Sequence, residues 1–99
     1  MRESAVEQNI CRQVKNIGGV AWKWVSPSRS GVPDRICIFP GGRIVFVELK
    51  RPGLKDGRSP QQKKVFSILE RLGCEVWRIA DGEDFTRRLI DMGVLEAGA

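Results

Sequence analysis

The sequence predicts an α/β domain built on one sheet with helices on its faces. Residues 36–39 (ICIF) and 43–49 (RIVFVEL) are almost continuously apolar, as strands covered on both faces are. Pro40, Gly41 and Gly42 between them indicate a hairpin. Segments with apolar residues at helical spacing stand before and after this hairpin, and the predicted element order is αβββαβα.

Each element has a local signal of its own. In the first helix Val6, Ile10 and Val14 recur at helical spacing, and a glycine follows each of the three helices. Ser59 and Pro60 supply the N-cap and the first position of the second helix. The predicted elements are helix 3–17, strands 20–25, 34–39 and 43–50, helix 60–72, strand 74–79 and helix 81–92.

The composition is that of a folded globular protein. The 99 residues are 41% hydrophobic and 29% charged, so we expect a single domain over residues 1–99. The first ten residues lack the apolar core of a signal peptide, and no apolar run approaches the ~18 residues of a membrane span. We therefore expect a soluble intracellular protein of the cytoplasm or nucleoid, with a phage as one source of the gene.

Charge and missing residue types narrow the chemistry. The chain has 17 Lys and Arg against 12 Asp and Glu, a formal net charge of +5, which attracts polyanions such as nucleic acid. A basic surface without a specific partner is the alternative. There is no His and no Tyr, so a histidine base and tyrosine attack on DNA phosphate are excluded. The three cysteines, Cys11, Cys37 and Cys74, form no CxxC pair, which argues against a zinc site and a disulfide framework.

Three residues around the hairpin form the strongest chemical pattern. Glu48 and Lys50 are two apart on one predicted strand, so their side chains project from the same face. With a loop of three residues, Asp34 on the preceding strand pairs with Glu48, and the two carboxylates share a face. A loop of two residues would place Asp34 opposite Leu49 instead and separate the carboxylates.

This trio is suited to metal-assisted chemistry. A glutamate at the end of an otherwise apolar strand is costly to bury unless something uses its charge. Two adjacent carboxylates repel unless a cation lies between them, and hard oxygen ligands favour Mg²⁺ or Mn²⁺. Such a site supports phosphodiester hydrolysis, with Lys50 orienting the nucleophile or stabilising developing charge. The alternative is a surface Glu–Lys pair beside a turn aspartate.

The motifs resemble those of a known nuclease family. Residues 31–34 (GVPD), 47–51 (VELKR) and 59–62 (SPQQ) look like the motifs of the VRR-NUC (virus-type replication-repair nuclease) family of the PD-(D/E)xK superfamily, and they occur in the same order. The resemblance spans residues 7–81. It implies a restriction-endonuclease-like core in which a mixed sheet is flanked by helices.

The resemblance also implies roles for individual residues. The catalytic residues would be Lys50, Asp34, Glu48, Glu7 and Gln62. The metal ligands would be Asp34, Glu48, the Leu49 backbone carbonyl and, through water, Glu7. Glu7 and Gln62 each also fit a capping box, in which the side chain bonds back to the N-cap backbone. Glu7 lies on the apolar stripe of its helix, which favours a place in the site.

Basic residues flank these motifs and are candidates for a phosphate-binding track. A solvated surface is the alternative for any one of them. The candidates are Arg29, Arg35, Arg51, Lys55, Arg58, Lys63 and Lys64. Trp22 and Trp24 alternate with Lys23 on a predicted strand, where tryptophans are more often core or interface residues than platforms for bases.

Together the residues and the resemblance predict a Mg²⁺- or Mn²⁺-dependent DNA endonuclease, a hydrolase. The stand-alone members that it resembles imply a homodimer that cuts branched DNA, such as four-way (Holliday) junctions, in DNA repair. The alternatives are a structure-nonspecific or restriction-like nuclease, and a DNA-binding module without catalysis. The apolar residues in excess of one small core, and therefore candidates for a dimer surface, are Trp22, Trp24, Val25, Val94 and Leu95.

Overall fold

The computed structural model describes residues 4–50 and 57–98, and the element order is αβββαβα as predicted. The helices are α1 (Ala5–Ile17), α2 (Pro60–Arg71) and α3 (Gly82–Met92). The strands are β1 (Val20–Lys23), β2 (Arg35–Phe39), β3 (Arg43–Leu49) and β4 (Glu75–Ile79). The predicted segments are therefore correct in type and differ from the structure only at their ends.

Side-chain caps explain where the helices begin. Ser4, Ser59 and Asp81 each accept a hydrogen bond from the backbone N–H three residues further on, which satisfies a donor that the first helical turn leaves unpaired. Because these caps lie just outside the helices, α1 and α3 begin later than predicted. Gly18 and Gly93 form the C-caps of the same two helices.

The four strands form one mixed sheet in the order β1-β2-β3-β4. β1, β2 and β3 are antiparallel neighbours, whereas β4 joins β3 in parallel after the α2 connection. In the hairpin Phe39 pairs with Arg43 and Arg35 pairs with Val47. The loop therefore has three residues, the first of the two alternatives that the sequence left open, and the same register continued by one residue places Asp34 opposite Glu48.

Helices α1 and α3 cover one face of the sheet. The buried cluster there comprises Ile10, Val14, Cys37, Phe39, Val45, Val47, Trp77, Ile79, Phe85 and Leu89. Val94 and Leu95 pack against this cluster as well. The prediction that these two residues contribute to surplus apolar surface is therefore wrong, because the chain after α3 turns back onto the core.

Helix α2 lies on the opposite face, where it contacts β4 and buries Val65 and Phe66 outside the main cluster. We call this side of the sheet the α2 face. Toward β1 the α2 face is apolar but only partly covered, since Val20, Trp22 and Ile44 are exposed there.

Within the described residues, no helix combines the length and the apolar character that crossing a membrane requires.

Candidate active site

Four side chains on the α2 face form a row across the sheet, one from each strand or its extension. The Trp24 backbone N–H donates to the Asp34 carbonyl at 3.1 Å, which extends the β1–β2 register by one residue. Asp34 lies opposite Glu48 by the β2–β3 register, and Glu48 pairs with Arg78 on β4. We call Trp24, Asp34, Glu48 and Arg78 the carboxylate row. In this row Asp34 and Glu48 are neighbours. Trp24 lies next to Asp34, and Arg78 lies next to Glu48.

Glu48 is a buried carboxylate held by hydrogen bonds. The residue is 1% exposed. One oxygen, Oε1, accepts from the Asp34 backbone N–H at 3.1 Å, and the other, Oε2, accepts from the Gln62 side-chain amide at 2.6 Å. Burying a carboxylate is costly unless such donors compensate the lost hydration. The bonds therefore both stabilise the charge and fix the orientation of the carboxylate.

Asp34 and Lys50 are fixed by the ends of the strands. Asp34 Oδ2 accepts from the Leu49 backbone N–H at 2.9 Å. Together with the bond from the Asp34 N–H to Glu48, this means that each acid accepts a backbone hydrogen bond from the segment that carries the other acid. The Lys50 N–H donates to the Ile79 carbonyl at 2.9 Å, which ties the end of β3 to β4. Lys50 is exposed and, two residues after Glu48, projects toward the same face.

The Gln62 side chain makes the capping bond that the sequence allowed and also contacts Glu48. Its side-chain Oε1 accepts from the Ser59 backbone N–H at 2.9 Å, and its own backbone N–H donates to Ser59 Oγ at 3.2 Å, which together make a capping box. Because the capping bond uses the amide oxygen, the amide NH₂ is the group that faces Glu48. The capping bond therefore determines that the NH₂ end of the Gln62 amide, and not its oxygen, contacts the Glu48 carboxylate.

A close backbone contact positions this helix end. Gly31 has a φ of +89°, and a β-carbon added to it would lie 2.6 Å from the carbonyl carbon of Gln61 and 2.8 Å from the backbone nitrogen of Gln62. Only glycine allows both that φ and that approach. The loop that leads to Asp34 therefore lies directly against the first turn of α2, in line with Gln62.

Glu7 and Arg35 form an ion pair on the other face of the sheet. Arg35 Nη2 lies 3.2 Å from Glu7 Oε2, and Arg35 Nη1 donates to the Ala21 carbonyl at 3.3 Å. Arg35 is 6% exposed, so its predicted place in an exposed phosphate-binding track does not fit the structure. The structure brings Glu7 to Arg35 and not into the carboxylate row, and its role at a metal through water stays a prediction.

The remaining basic candidates have mixed environments. Arg29, Lys63 and Lys64 are exposed, on the loop before Asp34 and on α2. Arg58 is partly buried, with its guanidinium 5.5 Å from the centre of the Phe66 ring, a cation–π distance. Two more candidates, Arg51 and Lys55, lie outside the described residues.

The two carboxylates are a suitable but incomplete ligand set for a divalent cation. Among residues 4–50 and 57–98 there is no group of three or more His, Cys, Asp or Glu side chains placed to hold a metal ion. Mg²⁺ is commonly bound by one or two carboxylates and completes its shell with water and substrate phosphate. The oxygen donors of Asp34 and Glu48 fit this mode of binding.

The buried thiol on β2, Cys37, does not offer a competing nucleophile. Burial, with a further contribution from the neighbouring Cys11, raises the pKa of Cys37 to about 12, and the smaller effect of Arg35 opposes this rise. Cys37 is therefore a protonated thiol at neutral pH, whereas reactive cysteines have lowered pKa values.

Sequence reasoning missed two features of this site. It did not place Arg78 beside Glu48, because that neighbour relation depends on how β4 pairs with β3 across the α2 connection. It also treated Gly31 only as part of a motif. The signal for its packing role was a glycine directly before the Pro–Asp pair, but nothing in the sequence indicated which element it contacts.

Comparisons with known proteins identify similar chains. No family model matches this sequence. Over 86 residues the chain is 42% identical to a protein described as "Putative nuclease p44" from Acyrthosiphon pisum secondary endosymbiont phage 1, covering 87% of this chain and 89% of that protein. A solved structure described as "VRR_NUC domain" has a TM-score of 0.76 and 27% sequence identity, covering 89% of this chain and 92% of its own.

Proposed function

Since the chain belongs to the VRR-NUC family of PD-(D/E)xK nucleases, we propose that it is a Mg²⁺- or Mn²⁺-dependent DNA endonuclease with Asp34, Glu48 and Lys50 at its centre. The observation that supports this most is the pairing of two carboxylates across β2 and β3, one of them 1% exposed and hydrogen-bonded. Burying a carboxylate beside a second one costs free energy that a purely structural role would not recover, whereas a bound cation compensates this cost.

In this mechanism the chain supplies ligands, orientation and positive charge. Asp34, Glu48 and the Leu49 carbonyl would hold the metal, which when bound neutralises phosphate charge and lowers the pKa of a water molecule. Gln62 keeps the Glu48 carboxylate in one orientation. Lys50, which is exposed, would orient the attacking water or stabilise charge on the phosphate. Glu7 is paired with Arg35 on the other face of the sheet, so this mechanism assigns it no contact with the metal.

We expect a branched DNA substrate such as a four-way junction. The net charge of +5 and the exposed Arg29, Lys63 and Lys64 favour contacts with several phosphates around the cut. The assay is a panel of labelled four-way junctions, flaps and linear duplexes at equal salt, with Mg²⁺, Mn²⁺ or EDTA. We expect metal-dependent cleavage that is fastest on the junction and absent in EDTA.

The outcomes of this panel separate the candidate functions. Equal cutting of all DNAs would indicate a structure-nonspecific nuclease and remove the junction specificity. Binding without cleavage under any metal would indicate a DNA-binding module. Full cleavage in EDTA by purified protein would contradict a metal-dependent site altogether.

A two-fold homodimer would suit a junction, because it places two identical sites at a fixed separation. The surface we assign to it lies at the end of the α2 face away from Asp34. Val20 and Ile44 are 38% and 46% exposed in one cross-strand row, and Leu72 at the end of α2 is 70% exposed. Sedimentation equilibrium at micromolar concentration should show a dimer, and Ile44→Lys should give monomers.

Two substitutions should separate the capping role of Gln62 from its role at the site. Gln62→Glu keeps an acceptor for the Ser59 N–H but replaces the NH₂ donor to Glu48 by a second carboxylate. We expect a loss of roughly 10–100-fold in metal affinity or cleavage, as for other residues that orient metal ligands. Ser59→Ala removes the cap and should cost about 1 kcal/mol of stability, with a smaller effect on cleavage.

Thermal unfolding measures the stability of both variants, and Mn²⁺ titration measures their metal affinity. If Gln62→Glu binds Mn²⁺ and cleaves like the unmodified protein, the amide does not position Glu48. If Ser59→Ala loses as much cleavage as Gln62→Glu, the two roles are not separable.

A further inference from the structure

We propose that Trp22 and Trp24 form a platform for unpaired DNA bases beside Asp34 and Glu48, so that the protein selects DNA whose bases are unstacked close to the cut. This inference rests on the proposed function, since it concerns the substrate of the same site. It assigns a contact to side chains that the catalytic chemistry does not use.

The platform is continuous with the candidate active site. Trp24 belongs to the carboxylate row, next to Asp34. Its ring centre lies 5.1 Å from that of Phe46 with an angle of 36° between the planes, so a second aromatic ring supports it from the sheet. Trp22 pairs with Ile36 and Ile36 with Phe46, which places Trp22 on the same face one row further from Asp34.

Trp22 is exposed where a core tryptophan would be covered. Trp22 lies on β1, at one edge of the sheet, whereas α2 contacts β4, at the opposite edge. Trp22 is 60% exposed, but Trp77, on the core face, is 5% exposed. A large ring on a rigid strand, with its position fixed by pairing to Ile36, is a preorganised surface for a flat partner.

The position and charge of the platform favour a nucleobase over another protein. Successive rows of side chains on one face are ~7 Å apart, and neighbouring strands are ~4.8 Å apart. Trp22 lies one row and one strand from Asp34, so it is close enough to contact a base of the DNA strand whose phosphate is bound at Asp34 and Glu48. The flanking loop carries the exposed Arg29, and the chain has a net charge of +5, which attracts the strand to which such bases belong.

A stacking contact requires bases that are not already stacked. In a duplex the faces of each base are covered by its neighbours, whereas single strands, flaps and junction points expose them. An aromatic ring beside the site would therefore distinguish DNA with unstacked bases from duplex DNA, whatever the base sequence. This supplies a physical basis for a preference for branched DNA that the phosphate contacts alone do not provide.

The experiment measures binding in EDTA, where cleavage does not interfere. A fluorescein-labelled single strand and the blunt duplex of the same sequence are titrated at equal salt and followed by anisotropy. We expect Trp22→Ala to lose roughly 5- to 100-fold in affinity for the single strand, the range for one lost base stack, and to bind the duplex nearly unchanged. Trp22→Phe should retain most of the single-strand affinity, whereas Trp22→Leu should behave like Trp22→Ala.

The Phe and Leu variants distinguish stacking from simple apolar contact. Val25→Ala is the matched control, because Val25 is 78% exposed just beyond Trp24 and should have no effect. Equal affinities of the Phe and Leu variants, or unchanged single-strand binding in Trp22→Ala, would overturn the proposal. Conversion of a dimer to monomers by Trp22→Ala, with unchanged binding per chain, would overturn it by assigning the ring to a second copy. Because no cleavage is measured, these results are independent of whether the nuclease assignment holds.

Discussion

Glu48→Gln and Asp34→Asn are expected to abolish metal-dependent cleavage while leaving the fold and most DNA binding intact. Each change keeps the size of the side chain and an oxygen acceptor for the bond from Asp34 or Leu49, but removes the negative charge with which we propose that each acid binds the cation. Phosphate contacts by basic residues supply most of the affinity for DNA, so binding in EDTA should persist. Cleavage assays with Mg²⁺ and Mn²⁺, together with Mn²⁺ titration, test the loss.

Lys50→Ala should behave differently from the two acid variants. It should retain Mn²⁺ binding but lose cleavage on the order of 10²–10⁴-fold, as for the loss of a group that stabilises or transfers charge in the transition state. Glu70→Gln and Lys15→Ala, at exposed positions on α2 and α1, are the matched controls and should cleave normally. A fully active Glu48→Gln variant would show that this carboxylate does not bind the metal.

Gly31→Ala is expected to reduce both stability and cleavage. A β-carbon there would require a strained backbone at φ +89° and would lie 2.6 Å from the Gln61 carbonyl carbon, so the loop and the first turn of α2 must separate. The strained backbone alone costs about 1–3 kcal/mol. Displacing Gln62 from Glu48 should lower cleavage by at least roughly 10-fold in addition, since the carboxylate loses its positioning bond.

Gly41→Ala separates these two effects. Gly41 has nearly the same backbone conformation, φ +91°, but nothing lies within 4 Å of an added β-carbon. It should therefore lose only the stability that the strained backbone accounts for, less than Gly31→Ala loses, with no loss in cleavage per folded molecule. Normal Mn²⁺ affinity and cleavage in Gly31→Ala would mean that the loop contact does not position Gln62.

The relative positions of Asp34, Glu48 and Lys50 could be predicted because they depend on local periodicity. Strand alternation places Glu48 and Lys50 on one face, and the length of a single hairpin loop places Asp34 opposite Glu48. Both relations involve residues close in sequence, so few alternatives compete. The family resemblance agrees with this register and adds Gln62, whose bond to Glu48 the structure contains.

The parts that could not be predicted depend on how distant elements pack. Arg35 follows Asp34 directly and looks like a DNA contact in sequence, but alternation turns it into the core, where it pairs with Glu7. Val94 and Leu95 look unassigned until α3 is docked. The position of Arg78 requires the parallel pairing of β4 with β3, which sequence patterns do not specify.

The order of the elements along the chain has a consequence for biosynthesis. The hairpin that carries both acids is complete by residue 50, but the amide that orients Glu48 comes from α2, and β4 adds to β3 only after that helix. Parallel pairing across such a connection is among the slower steps of folding. We therefore expect a ribosome-bound fragment that ends before α2 to lack cutting activity, and cleavage to begin only after α2 and β4 have been synthesised and have packed against β3.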